Sequence, residues 1–157
     1  MKKYINWFWR WYEGNLRLNI GIAAGIFVWQ LIHLFWLTLD VVTARLFSVA
    51  LFHITGVLQY AIIAVDYAEM PAIITVSLVY INELRKGKDV KRNILFLVLL
   101  NSQWLHLFWI TDEFVLEILR GGGAVLPLWL AWIAILIDYL ELPVIYDTIR
   151  KLLKSRG

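Results

Sequence analysis

The sequence contains no cysteine. That excludes disulfide staples and thiolate metal sites, and it leaves the redox compartment unmarked. Charge is scarce as well. Only 17% of the residues are Asp, Glu, Lys or Arg, against about 25% in a soluble domain. No nucleotide motif or Ser-His-Asp set competes for attention. Gly121-Gly122-Gly123 lacks the strand and helix context that a phosphate-cradling loop requires. The most informative absence is local: the long apolar runs hold no Lys or Arg at all.

What fills the chain is apolar. Hydrophobic residues make up 61% and the mean hydropathy is +0.70, where a soluble chain has about 45–50% apolar residues. A single integral membrane domain, residues 1–157, is expected, with the lipid bilayer as its partner and no nucleic acid. Residues 1–17 mix Trp7, Trp9, Trp11 and Tyr12 with Lys2, Lys3 and Arg10, a blend that favours the headgroup layer. An interfacial segment is expected there, not a cleaved signal peptide, because a short aliphatic run is missing.

Four spans follow: 18–39, one within 48–84, 94–110 and 126–145. The second stretch exceeds the roughly 20 residues of one straight crossing, so part of it must tilt, kink or leave the hydrocarbon. Asp40–Phe47 reads as a short outer connection, 85–92 as a basic loop and 150–157 as a basic amphipathic tail. Four spans put both termini and the central loop on one side. Thirteen of the fifteen Lys and Arg residues fall on that side, and only Arg45 and Arg120 fall opposite. The positive-inside rule then makes both termini cytoplasmic.

The chain also repeats itself. Gln30-Leu31-Ile32-His33-Leu34-Phe35-Trp36-Leu37-Thr38 returns 73 residues later as Gln103-Trp104-Leu105-His106-Leu107-Phe108-Trp109-Ile110-Thr111. Asp66-Tyr67-Ala68-Glu69-Met70-Pro71 returns after 72 residues as Asp138-Tyr139-Leu140-Glu141-Leu142-Pro143. Two tandem repeats, 18–84 and 93–149, each with two spans, insert in the same orientation. Their pseudo-two-fold axis therefore runs along the membrane normal. The expected fold is all-α, a four-transmembrane-helix bundle built from two parallel two-helix repeats, with a site on that axis.

The repeated phrases place His33, Asp66, Glu69, His106, Asp138 and Glu141 inside the spans. A carboxylate at a helix centre costs about 2.5–3.5 kcal/mol on insertion scales. Four of them unpaired would cost on the order of 10 kcal/mol, comparable to the whole stability of a small domain. With no basic residue in the spans, the balancing charge must come from protons, a metal or a cationic ligand. Asp66 and Glu69, like Asp138 and Glu141, lie three residues apart and share a helix face. Pro71 and Pro143 cannot donate to the carbonyls of Tyr67 and Tyr139, which loosens the helix beside the acids. Two histidines and four carboxylates suit two divalent cations, Fe, Mn or Zn, in a near-neutral core. Ferritin-like dimetal bundles use the same ligand count but arrange it as Glu-x-x-His plus a lone Glu.

Around these six, Gln30 and Gln103 share the faces of their histidines and are candidates to accept the second ring N–H. Tyr67 and Tyr139 adjoin the acids as packing residues or hydrogen-bonding groups near the metal. Asp40 and Glu113 lie seven residues beyond the histidines, a solvated rim that would attract cations to the mouth. Trp36 and Trp109 read as interfacial belt residues and His53 as interfacial. Functionally the set points to a dinuclear metalloenzyme, a di-iron or di-manganese oxidoreductase or a di-zinc hydrolase, acting on a lipid-soluble substrate. A divalent-cation or proton transporter using the same carboxylates is the alternative, and a bis-histidine haem protein a third.

Overall fold

The computed structural model describes residues 2–49, 51–52, 57–111 and 128–154. Among them every regular element is helical: α1 (Lys2–Gly14), α2 (Leu16–Leu37), a π-helical turn (Thr38–Val42), α3 (Thr43–Phe47), α4 (Val57–Tyr67), α5 (Glu69–Arg85), α6 (Val90–Asn101), α7 (Gln103–Ile110), α8 (Leu128–Tyr139) and α9 (Glu141–Lys154). Three helical stretches are long and apolar enough to cross a membrane: Leu16–Phe47, Tyr60–Arg85 and Trp129–Lys154, their most apolar segments reaching mean hydropathies of 1.9, 1.7 and 1.6. The last two are interrupted for one residue, at Ala68 and Leu140. A further helical run, α6 followed by α7, opens with Lys91, Arg92 and Asn93 in its first turn. His53, Asp112, Glu113, Glu117 and Arg120 lie outside the described residues, as does the side chain of Trp109.

The centre of the bundle is α2, which packs against α5, α9 and α4, while α5 meets α6, α6 meets α9 and α7 meets α8. It is apolar all round, but its buried positions still recur every three or four residues: Ile20, Ala23, Phe27, Gln30, His33, Leu34 and Leu37. That is the inward stripe of a helix of 3.6 residues per turn. The outward face carries Leu18, Ile22, Val28, Trp29, Ile32 and Phe35, all exposed. Facing helices contribute Ala72, Ile73 and Val76 from α5 and Val144 and Ile145 from α9 to the same core. Tyr80, Phe27 and Leu100 fill its widest places, each less than 2% exposed.

Two expected connections turn out differently. Asp40–Phe47 is not a loop: the helix of α2 widens into the π turn and continues through α3, and the chain turns back only at Ser48, whose φ is 58°. The returning backbone then caps the widened turn, with Leu51 N–H donating to the Leu39 carbonyl at 2.9 Å. The basic loop is also shorter than 85–92. Gly87, at φ +67°, ends α5, with its N–H on the Leu84 carbonyl and that of Lys88 on the Glu83 carbonyl. That paired bonding, with glycine in the left-handed position, is a Schellman stop. The basic tail is helical through Lys154 and turns Lys151 inward.

The basic segments do collect at one end of the bundle. Glu13 of α1 pairs with Arg85 and Lys86 at 3.8 and 3.5 Å, and the Arg85 guanidinium lies 4.1 Å over the Trp9 ring. Arg92 pairs with Asp147 of α9, and Lys151 joins Asp147 and Glu83 at 3.0 and 2.7 Å. Residues from the N-terminal helix, the central turn and the last helix therefore share one end.

Candidate metal centre

Each repeat breaks its helix at the same point. In the first, α4 ends at Tyr67 and α5 starts at Glu69; in the second, α8 ends at Tyr139 and α9 starts at Glu141. The intervening N–H of Ala68 is shared between the carbonyls of Ala64 and Val65, both at 3.1 Å. That of Leu140 is shared between Leu136 and Ile137, at 3.2 and 3.0 Å. Pro71 and Pro143 stand third in the new helices, where the missing donor is tolerated. The irregular turn lies between the two acids of each repeat.

All six sequence-selected side chains converge and are buried, none more than 6% exposed. In the first repeat Asp66 Oδ1 meets His33 Nδ1. In the second, Asp138 Oδ1 meets His106 Nδ1 at 2.9 Å. The same atoms are used at matched positions, so the duplication extends to the pairing of carboxylate with imidazole. The two imidazole rings lie 5.9 Å apart at 67°. Asp138 reaches the other histidine too, its Oδ2 standing 3.7 Å from His33 Nε2. His33, His106 and Asp138 each offer one ligand atom within 4.8 Å of the others. Glu69 and Glu141 face each other within hydrogen-bond reach, and the Oε1 atom of each is buried with no donor among the described residues. Two carboxyls so placed need a proton or a cation between them. Among the described residues, no ion pair brings Lys or Arg to any of the six.

The glutamines hold helices together instead of reaching the histidine rings. Gln30 Nε2 donates to the Val65 carbonyl at 3.2 Å and Gln103 Nε2 to the Ile137 carbonyl at 2.7 Å. Each carbonyl belongs to the residue just before an aspartate, at the helix break, where the ladder is loosened and an outside donor is accommodated. The glutamines thus fix the backbone that carries Asp66 and Asp138.

The tyrosines cross between repeats. Tyr67 bonds to Thr111 at 2.9 Å and Tyr139 to Thr38 at 2.6 Å. Both threonine hydroxyls already donate to the carbonyl four residues back, Leu107 and Leu34. A hydroxyl has one proton, so each tyrosine is the donor. The two bonds form a reciprocal cross-link between the two repeats. Thr38 and Thr111 end the repeated nine-residue phrase, which is the signal that would have singled them out. Tyr67→Phe and Tyr139→Phe are each expected to lower the unfolding free energy by about 1 kcal/mol with metal content unchanged; denaturant titration beside metal analysis checks this.

Asp40 does not line a solvated rim. It is buried in the π turn, and its Oδ2 accepts the Trp36 indole N–H at 3.1 Å. Trp36 accordingly belongs to the core and stands 6.0 Å from the His33 ring. The straight-helix count placed Asp40 outside because it could not foresee the π turn. A second buried polar group escaped the sequence reading altogether. Asp147, 5% exposed, accepts Tyr80 O–H at 3.1 Å and pairs with Arg92 and Lys151. It has no acidic counterpart in the first repeat, where Thr75 stands 72 residues earlier. No protein-family model, curated protein or solved structure matches this chain.

Proposed function

We propose that the chain is an integral membrane metalloprotein that crosses the bilayer four times, with both termini on the cytoplasmic side. The exposed apolar faces of the long helices support the crossing, since contiguous apolar surface of this kind is rare on soluble monomers. The collection of basic segments at one end supports the common side of the termini. Within the bundle, His33, Asp66, Glu69, His106, Asp138 and Glu141 hold two divalent ions, iron, manganese or zinc, on the pseudo-two-fold axis. The observation that carries this reading is the Glu69–Glu141 pair, buried without a donor beside two His–Asp dyads. Charge closes the argument: four carboxylates and two neutral histidines balance two dications.

When bound, the ions would supply redox chemistry if iron or manganese, or an activated water if zinc. The chain's own part is to orient and exclude water. Asp66 and Asp138 fix the tautomer and direction of their histidines, the glutamines fix the aspartate-bearing breaks, and the apolar core keeps the centre dry. A substrate for so buried a site is membrane-soluble.

Elemental analysis of the detergent-purified protein tests the reading. About two divalent ions per chain are expected, from the metal-site stoichiometry of such carboxylate–histidine sets, and fewer in Glu141→Gln. A wild type devoid of iron, manganese and zinc would sink it.

One observation favours a transporter as second reading. Asp66, His33, Asp138 and His106 form an alternating chain of carboxylates and imidazoles, a pattern suited to passing protons. Proteoliposome flux that vanished in Glu69→Gln would favour it. A haem between the two histidines fits poorly, because Asp138 touches both rings where the porphyrin would lie.

A further inference from the structure

The duplicated centre is not symmetric in its contacts. Among the described residues Asp66 pairs with His33 alone, whereas Asp138 reaches both histidines. One side of the cluster therefore gathers two ring nitrogens and a carboxylate oxygen, His33, His106 and Asp138, with ligand atoms within 4.8 Å of one another. The other side offers oxygen alone: Glu69 and Glu141, each with a buried Oε1 that no donor among the described residues satisfies. Asp66 stands behind His33. By holding Nδ1 it leaves Nε2 directed at Asp138, the arrangement in which a carboxylate orients a metal-bound imidazole.

We propose that the two ion positions are chemically different and fill in order. The His33–His106–Asp138 position takes a borderline transition dication first. The Glu69–Glu141 position takes a harder, oxygen-seeking dication second and more weakly. Ligand softness sets the difference: imidazole suits Zn, Fe and Co, while carboxylate with water suits Mn and Mg. Coulomb repulsion from the first ion sets the order. This rests on the dinuclear reading above and specifies it as a mixed-metal centre. Asp66, one of the six residues of the centre, acts on the first ion through His33 as a positioning residue, and Glu69 and Glu141 are ligands of the second.

The experiment is a titration of the full chain in detergent, stripped by chelator, with Co(II) followed by its visible absorption and by calorimetry. Mn(II) is then added and the unbound fraction followed by electron paramagnetic resonance. For the wild type, one tight Co(II) per chain and one weaker Mn(II) are expected, about tenfold or more apart. Asp138→Asn should abolish the tight Co(II) step. Asp66→Asn should weaken it by about 10–100-fold, the range for lost orienting partners, and alter its absorption spectrum. Glu141→Gln should retain the stoichiometric Co(II) step, weakened only by the loss of a neighbouring charge, since Glu141 is not among its ligands, and lose the Mn(II) step. Circular dichroism establishes that each variant is folded, and the wild-type titration needs no variant at all. Two Co(II) ions of equal affinity, or a Glu141→Gln protein that loses the first step, would overturn the proposal while leaving a dinuclear centre intact. Absence of any stoichiometric binding would overturn both.

Discussion

Stripping divalent metal from the purified protein is expected to lower its thermal midpoint by roughly 10 °C. An ion that binds only the folded state, present at a thousandfold its dissociation constant, stabilises by about 4 kcal/mol. For a chain of this length, each kcal/mol moves the midpoint by about 2–4 °C. The structure gives the reason for so large a response. Glu69 Oε1 and Glu141 Oε1 are buried without a protein donor, and Asp138 is already shared by two imidazoles. Removing the ions leaves carboxylates facing one another in an apolar core, where no Lys or Arg among the described residues pairs with them. Re-addition of metal should restore the midpoint, and its effect should fade as the pH falls, because the ligands must be deprotonated to bind. A hydrogen-bonded network balanced by protons alone would be indifferent to chelator. Scanning calorimetry or intrinsic tryptophan fluorescence, with and without chelator, separates the two.

The convergence of the six polar residues was legible because the chain writes it twice. Duplication turned two isolated acids into a spaced pair with a matching histidine, and the same spacing located the helix breaks beside Pro71 and Pro143. What spacing could not supply was the assignment of atoms. Nothing in a linear sequence says that Asp66 and Asp138 each choose Nδ1, or that Asp138 also reaches the second ring. Gln30 and Gln103 were found by the same repeat, but their amides go to backbone carbonyls across the helix pair. A choice of that kind depends on which carbonyls the helix break leaves accessible. Asp40 was misplaced for a geometric reason, since counting residues along a straight helix assumes a constant rise and face. The π turn at Thr38–Val42 violates that assumption. The all-helical architecture was legible from hydropathy; the continuation of α2 through Phe47 was not, because polar Asp40 and Arg45 looked like a connection. Asp147 was invisible for the opposite reason to the six: it has no acidic counterpart in the other repeat, where Thr75 stands, so the duplication did not single it out.

Asp147→Ala is expected to destabilise the fold by about 3 kcal/mol, the lower end of the range for breaking a buried ion pair from one side. Asp147 ties three helices: Tyr80 of α5 through its hydroxyl, Arg92 of α6, and Lys151 one turn on in α9. The side chain of Lys151 is only 12% exposed and its ammonium lies 3.9 Å over the Tyr80 ring. Without Asp147, Glu83 alone would balance that charge, at 2.7 Å, and the Tyr80 hydroxyl would keep only its longer contact to Thr148 at 3.4 Å. Arg92→Ala should cost far less, below about 1 kcal/mol, because its side chain is 42% exposed and water screens exposed pairs. Asp147→Asn should fall between the two, retaining an acceptor for Tyr80 while losing the charge. The ordering Ala, Asn, then Arg92→Ala, measured by denaturant unfolding in detergent, tests whether this end of the bundle is held by a desolvated charge network. Equal small losses in all three would mean that water reaches the network and that packing alone joins α5, α6 and α9. Metal content should stay unchanged throughout, since none of these residues contacts the His–Asp–Glu centre, and that control separates the structural staple from the site.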